Sequence, residues 1–206
     1  MSRSLPRGLA LRCLLAACAG GGLLAAAPGA LPGWWNDFRT MTRLESGFVQ
    51  QSESAVFGKL RRQGKLMLAK GGNLRVEYRQ GLLLVADGTS LVQYDPDART
   101  AQRMKLRTAA ADTPLLNVLL NPAALAGFYE AKPGPGDSVA LEPRRPGLPR
   151  VLLSGRGGLL QGIRWTDATG ASQEIELQDA RVPAAPFPKA TFTFAAPAGT
   201  RWLAAR

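Results

Sequence analysis

The sequence predicts a mainly β domain, a barrel or strongly curved antiparallel sheet with few helices. Three observations predict it. Short apolar segments alternate with polar residues at a period of two along most of the chain. Gly, Pro, Asn and Asp turn signals separate those segments at short intervals. Only two stretches look helical, one by apolar spacing of three or four and one by its flanking signals. The chain has 206 residues, enough for one domain with a sizeable core.

Residues 1–27 stand apart from this pattern. Arg3, Arg7 and Arg12 precede an apolar run through Leu14, Leu15, Leu23 and Leu24 that ends in Ala25, Ala26 and Ala27. That order reads as a secretory signal peptide. Its apolar part is about 15 residues, short of the roughly 20 that cross a bilayer as a helix. Residues 28–206 are then a single exported domain, with cleavage expected near Ala27 or Ala30, or nearer Ala19. Leu15-Ala16-Ala17-Cys18 resembles the lipobox before a lipid-modified cysteine. The apolar run between Arg12 and Cys18 is below the roughly 7 to 15 residues expected of a signal, so lipidation at Cys18 is kept as the alternative.

Composition excludes several functions. Cys13 and Cys18 both lie in the leader and the chain has no histidine. The exported domain therefore has no disulfide, no cysteine or histidine metal ligands and no histidine-dependent triad. No carboxylate pair stands out, and Ser154-Gly155 reads as a strand end, not a nucleophile elbow. No Gly-rich phosphate loop appears, so no cofactor and no enzymatic activity are expected. The net charge is +11, and without the three leader arginines 23 basic residues face 15 acidic ones, a net +8. The cations are spread along the strands without a recognition helix or aromatic platform, which argues against nucleic acid. They suit anionic headgroups or acidic partner surfaces, or simply reflect an Arg-rich composition.

Taken in order, the elements are these. From Trp34 to Val49 the residues Trp35, Phe38, Met41, Leu44 and Phe48 recur every three or four positions with Asp37, Arg39, Arg43 and Glu45 between them, which predicts an amphipathic helix entered at Pro32-Gly33. Gly64 to Ala69 predicts a strand with Leu66 and Leu68 on one face. Leu74, Val76 and Tyr78 alternate with Arg75, Glu77 and Arg79, the cleanest strand in the chain. Leu82 to Ala86, with Leu84, leads into the Asp87-Gly88 turn; Leu91, Val92 and Tyr94 lead into Asp95-Pro96-Asp97. Thr113-Pro114-Leu115-Leu116-Asn117-Val118-Leu119-Leu120 offers a capping Thr, Pro at the first helical position and an apolar run stopped by Asn121-Pro122, hence a short helix. Too short to be stable alone, it must lie on an apolar surface. Strands are predicted again at Phe128 to Lys132, Ser138 to Glu142, Val151 to Ser154, Leu159 to Thr166, Gln173 to Gln178 and Ala190 to Phe194.

The run Lys70-Gly71-Gly72-Asn73-Leu74-Arg75-Val76-Glu77-Tyr78 resembles the K-P-x-x-F-R-W-x-Y segment of the outer-membrane lipoprotein carrier family (LolA). Further matches follow in the family's order: Phe48-Val49-Gln50, Asp87-Gly88, Tyr94-Asp95-Pro96, Thr113-Pro114-Leu115, Leu141-Glu142-Pro143 and Phe192-Thr193-Phe194 with Pro197 and Gly199. The ordered set covers about residues 38–200. Gly71 stands where the family favours proline and Val76 where it favours tryptophan.

The resemblance implies an incomplete antiparallel β-barrel, open on one side, with short α-helices folded over the opening as a lid. It implies a monomeric periplasmic carrier that binds acylated lipoproteins. The cargo would come from an inner-membrane lipoprotein-releasing ABC transporter and pass to an outer-membrane lipoprotein receptor. The expected acyl-chain lining is Phe38, Met41, Phe48, Leu66, Leu68, Leu74, Val76, Tyr78, Leu84, Tyr94, Leu115, Leu116 and Leu119. Lys70 and Arg75 are implied in cargo transfer or partner contact. Read without the resemblance, Lys70 is equally a solvated turn lysine, and Leu74, Val76 and Tyr78 are equally sheet core. A membrane-anchored receptor lipidated at Cys18 and a lipid-sensing module of the same fold are the alternatives.

Overall fold

The period-two alternation around Leu74, Val76 and Tyr78 extends through most of the domain. The computed structural model describes residues 29–56, 58–107, 114–120 and 122–204, without the side chains of 114, 115 and 117. The expected signal peptide, Cys13, Cys18 and the capping Thr113 lie outside the described residues.

A single 12-stranded sheet makes up the body of the domain. Its strands are β1 (Arg43–Ser54), β2 (Gly58–Ala69), β3 (Asn73–Tyr78), β4 (Leu83–Asp87), β5 (Ser90–Asp95), β6 (Thr100–Lys105), β7 (Tyr129–Pro133), β8 (Ser138–Pro143), β9 (Val151–Arg156), β10 (Leu159–Thr166), β11 (Ser172–Arg181) and β12 (Arg201–Leu203). The spatial order is β12-β6-β5-β4-β3-β2-β1-β11-β10-β9-β8-β7. Two meanders, β1 to β6 and β7 to β11, are joined by the antiparallel pairing of β1 with β11. The β12–β6 pairing is parallel. The edges β12 and β7 do not meet, so the barrel is incomplete, as the resemblance implies.

Among the described residues two helices cover the concave face. Helix α1 (Gly33–Thr40) precedes β1 and packs on β9 and β10. Helix α2 (Pro114–Leu120) and a 3-10 turn (Pro122–Gly127) carry the chain from β6 to β7, from one meander to the other, so α2 must pass the open side. Phe38 of α1, Leu44 and Phe48 of β1, Leu66 and Leu68 of β2, Leu74 and Val76 of β3, and Leu116, Val118 and Leu119 of α2 all belong to one buried apolar cluster.

The first helix is half as long as its apolar spacing predicts: it ends at Thr40, and Leu44 and Phe48 lie on β1. The reason is arithmetic. A spacing of four is one helical turn and also two strand steps, so Leu44, Ser46 and Phe48 fit a strand face equally well, and all three are buried. Thr40 and Thr42 disfavour continuing the helix, as does Gly47. The strand expected at Ala190 to Phe194 is instead a 3-10 turn (Lys189–Phe192). Pro186 and Pro188 just before it have no amide to give to a ladder.

That turn belongs to a C-terminal segment running over the convex face, where it touches β3 and β4. Arg75 holds it, donating Nη1–H to the Thr191 carbonyl (3.3 Å) while Nε–H donates to Glu77 Oε1 (2.6 Å). Phe194 stacks between Tyr94 (5.4 Å) and Trp202 (5.9 Å). Arg75 and Tyr94 therefore face away from the concave side, which for Tyr94 is contrary to its expected place in the acyl lining. The alternation explains it: Leu74, Val76 and Tyr78 point to the buried cluster, so Arg75 points the other way. Likewise Leu91 joins that cluster, which sends Val92 and Tyr94 outward.

Candidate functional site

Two glycine and aromatic arrangements set the shape of the concave face. At Gly155 of β9 a Cβ would overlap the Trp34 indole, so the bare backbone makes the notch that seats α1. The indole Nε1–H donates to the Asp137 carbonyl (3.2 Å), which fixes the ring's orientation. Gly64 of β2 lies in register between Phe48 and Tyr78, and there too a Cβ would overlap the Phe48 ring. The two rings instead meet edge to face across it at 5.1 Å. The Tyr78 hydroxyl donates to Gln50 Oε1 (2.9 Å), and burial raises its pKa, partly offset by the charge of Arg62.

Beneath and beside the helices, at one end of the sheet, is a cavity of about 1000 Å³. This lies at the top of the roughly 300–1000 Å³ range of small-molecule sites. Met41, Leu68, Leu106, Leu119, Leu120, Leu125 and Phe128 give it an apolar floor and walls. The β2–β3 turn, where Gly71 and Gly72 both take positive φ, and Gly88 of the β4–β5 turn form its lip. Gly88 has no room for a side chain, because a Cβ there would overlap the Gly71 carbonyl. Arg39, Lys70, Arg107 and Arg145 stand around the mouth, all exposed. Among the described residues no carboxylate lines it. A second cavity of about 540 Å³ lies next to it, between the β2–β3 turn and the C-terminal segment, and Lys70 lines both.

Of the residues that the sequence nominates for acyl binding, Met41, Leu68 and Leu119 line the larger cavity. Phe38, Phe48, Leu66, Leu74, Val76 and Leu116 lie deeper, packed in the cluster between sheet and helices, with Tyr78 and Leu84 half-buried against it. The side chain of Leu115 is outside the described residues. Lys70 is at the mouth, whereas Arg75 and Tyr94 are on the other face. The described helices thus pack against much of the concave face, and the larger cavity lies at the end where α1 and α2 both terminate. Sequence reasoning missed Arg39, Arg107 and Arg145. Their one signal is position: each closely flanks an apolar segment, at Phe38, Leu106 and Leu148.

The arrangement holds no group of three or more metal-ligating side chains among the described residues. What it offers chemically is apolar volume with a cationic lip.

The profile of a family described as outer membrane lipoprotein carrier protein LolA matches residues 39–195. The outer-membrane lipoprotein carrier protein of Chromohalobacter salexigens is 28% identical over 146 residues, covering 66% of this chain and 68% of that protein. An uncharacterized conserved protein from Thermus thermophilus superposes with a TM-score of 0.51 at 9% identity, over 82% of this chain and 96% of that one. A LolA superfamily protein from Nitrosomonas europaea does so with a TM-score of 0.47 at 10% identity, over 80% and 99%. The Thermus likeness concerns the fold alone. The profile match runs from the end of α1 past the turn at Phe192, more than half of the sequence, and by it the chain belongs to the outer membrane lipoprotein carrier protein family.

Proposed function

We propose that the chain is a periplasmic carrier that shields the acyl chains of lipoproteins between the inner and outer membranes. The observation that carries this reading is the largely apolar cavity of about 1000 Å³ at one end of an unclosed sheet whose concave face is covered by helices. The family is one of carriers, not enzymes. Exposing an acyl chain to water costs about 0.8 kcal/mol per methylene, so a cargo with two or three long chains faces tens of kcal/mol in an aqueous compartment. A shield is therefore required, and it must also let go. The filled concave face supports a closed state: a chain longer than the cavity can accept must displace Leu116 and Leu119 from the sheet, and their return would help expel it. No helix among the described residues is long and apolar enough to cross a membrane.

On this reading an ATP-driven inner-membrane extractor delivers the cargo and an outer-membrane receptor takes it, with the carrier acting as a monomer and without a cofactor. The test is to mix the purified mature chain with a triacylated lipoprotein and separate soluble from sedimented material. A soluble one-to-one complex is expected. Cargo found only in the aggregated fraction would overturn the proposal.

A further inference from the structure

We infer that the cavity mouth selects an anionic amphiphile: a negatively charged phosphate or carboxylate group seated between the basic side chains, with its hydrocarbon tail on the apolar floor. This deepens the carrier reading and rests on it. Arg39 at the end of α1, Lys70 in the β2–β3 turn, Arg107 after β6 and Arg145 in the β8–β9 loop come from four separate stretches of chain and converge on one opening. Six of the glutamates are engaged elsewhere. Glu45, Glu53, Glu77, Glu130, Glu142 and Glu174 each pair with a cation that does not line the cavity. Among the described residues none of the four mouth cations has an acidic partner.

Two of the four are held. The Arg39 guanidinium lies over the Trp35 ring at 5.9 Å, and that of Arg145 over Phe128 at 5.6 Å. Stacking engages the flat face of a guanidinium and leaves its in-plane N–H donors free for an oxyanion. Like charges gathered without counter-charge repel one another, and an anion at their centre relieves that repulsion. A neutral acyl cargo would use the floor and leave this lip unsatisfied.

The test uses the mature chain and a neutral apolar fluorophore bound in the cavity. It is displaced by dodecyl phosphate, dodecylphosphocholine or dodecyltrimethylammonium, each below its micelle-forming concentration, with inorganic phosphate as the tail-less arm. Dodecyl phosphate is expected to displace the probe at least about tenfold more tightly than the other two, with a preference that shrinks as salt is raised. Inorganic phosphate alone should not displace it. The Arg107→Gln/Arg145→Gln double variant should bring dodecyl phosphate to the level of dodecylphosphocholine, and Arg107→Lys/Arg145→Lys, folded by circular dichroism, should restore much of the difference.

Equal displacement by all three amphiphiles would overturn the headgroup inference and leave the carrier reading standing. Displacement by none would remove both. A glutamine double variant that keeps its phosphate preference yet stops adsorbing to phosphatidylglycerol vesicles would assign the lip to a membrane surface and overturn the inference.

Discussion

Single residues decide how the cover sits on this sheet. Gly155 is the clearest, because the Trp34 indole occupies the space a side chain would need. Replacing it with alanine forces the ring or the strand to move, an overpacking that costs about 1–3 kcal/mol. Gly155→Ala is therefore expected to lower the melting temperature by several degrees, at roughly 2–4 °C per kcal/mol for a chain of this size. Gly127→Ala, where nothing lies within 4 Å of the added carbon, should leave it nearly unchanged. Equal melting temperatures for the two variants would mean that Trp34 is not seated as described. Asp87 acts at the same scale on the cavity's lip. Its carboxylate accepts from the amides of Thr89 (2.9 Å) and Ser90 (2.8 Å) and from both hydroxyls, which together hold its pKa well below the usual carboxylate range. A depressed folded-state value means the stabilisation is fully present above the unfolded value, about pH 4, and is lost as the pH falls through the folded one. Thermal melts between neutral pH and pH 2 should show wild type losing stability below pH 4 more steeply than Asp87→Asn. Parallel curves would show that the turn does not depend on that charge.

At the scale of elements the two helices differ in how firmly they are held. Helix α1 is pinned by two tryptophans, Phe38 and the Gly155 notch. Helix α2 has four described buried side chains, Leu116, Val118, Leu119 and Leu120. Their burial contributes about 6–12 kcal/mol at roughly 1.5–3 each, whereas ordering the helix's seven residues costs about 7–14 kcal/mol. The two nearly cancel, and on the carrier reading α2, which links the two meanders across the open side, is the cover expected to lift. Hydrogen exchange should find the α2 amides exchanging well before those of α1 and the central strands; equal protection of both helices would remove α2 as the moving part. Helix α2 was legible in the sequence because Pro114 and the Asn121-Pro122 stop frame it. The cleanest strands were legible because Leu74, Val76 and Tyr78 alternate without ambiguity. The end of α1 was not, since Leu44 and Phe48 satisfy both periods and only pairing with β2 and β11 decides between them. The cavity was half legible for a related reason: an apolar side chain facing empty volume and one facing core look alike in sequence, and Leu68 and Leu74 differ only in their surroundings.

The whole molecule is a sheet covered on both faces by pieces of its own chain, helices on the concave side and the segment after β11 on part of the convex side. Covering both faces leaves little to expose, yet a carrier must open somewhere. The unclosed sheet indicates where: the β6-to-β7 connection that contains α2 is the link between the two meanders on the open side, so lifting it breaks no strand pairing. If deep acyl binding requires that motion, tethering α2 to the sheet should abolish it. Cys13 and Cys18 both precede residue 28, so a chain beginning there gives a cysteine-free background for Leu68→Cys and Leu119→Cys, two positions on the cavity wall from β2 and α2. Before cross-linking, this double variant should form the soluble lipoprotein complex; after joining by a short bis-maleimide it should lose that complex while keeping its circular dichroism and gaining thermal stability. A tethered protein that still solubilised a triacylated lipoprotein would mean that the cargo is held at the mouth alone, with the helices as fixed walls.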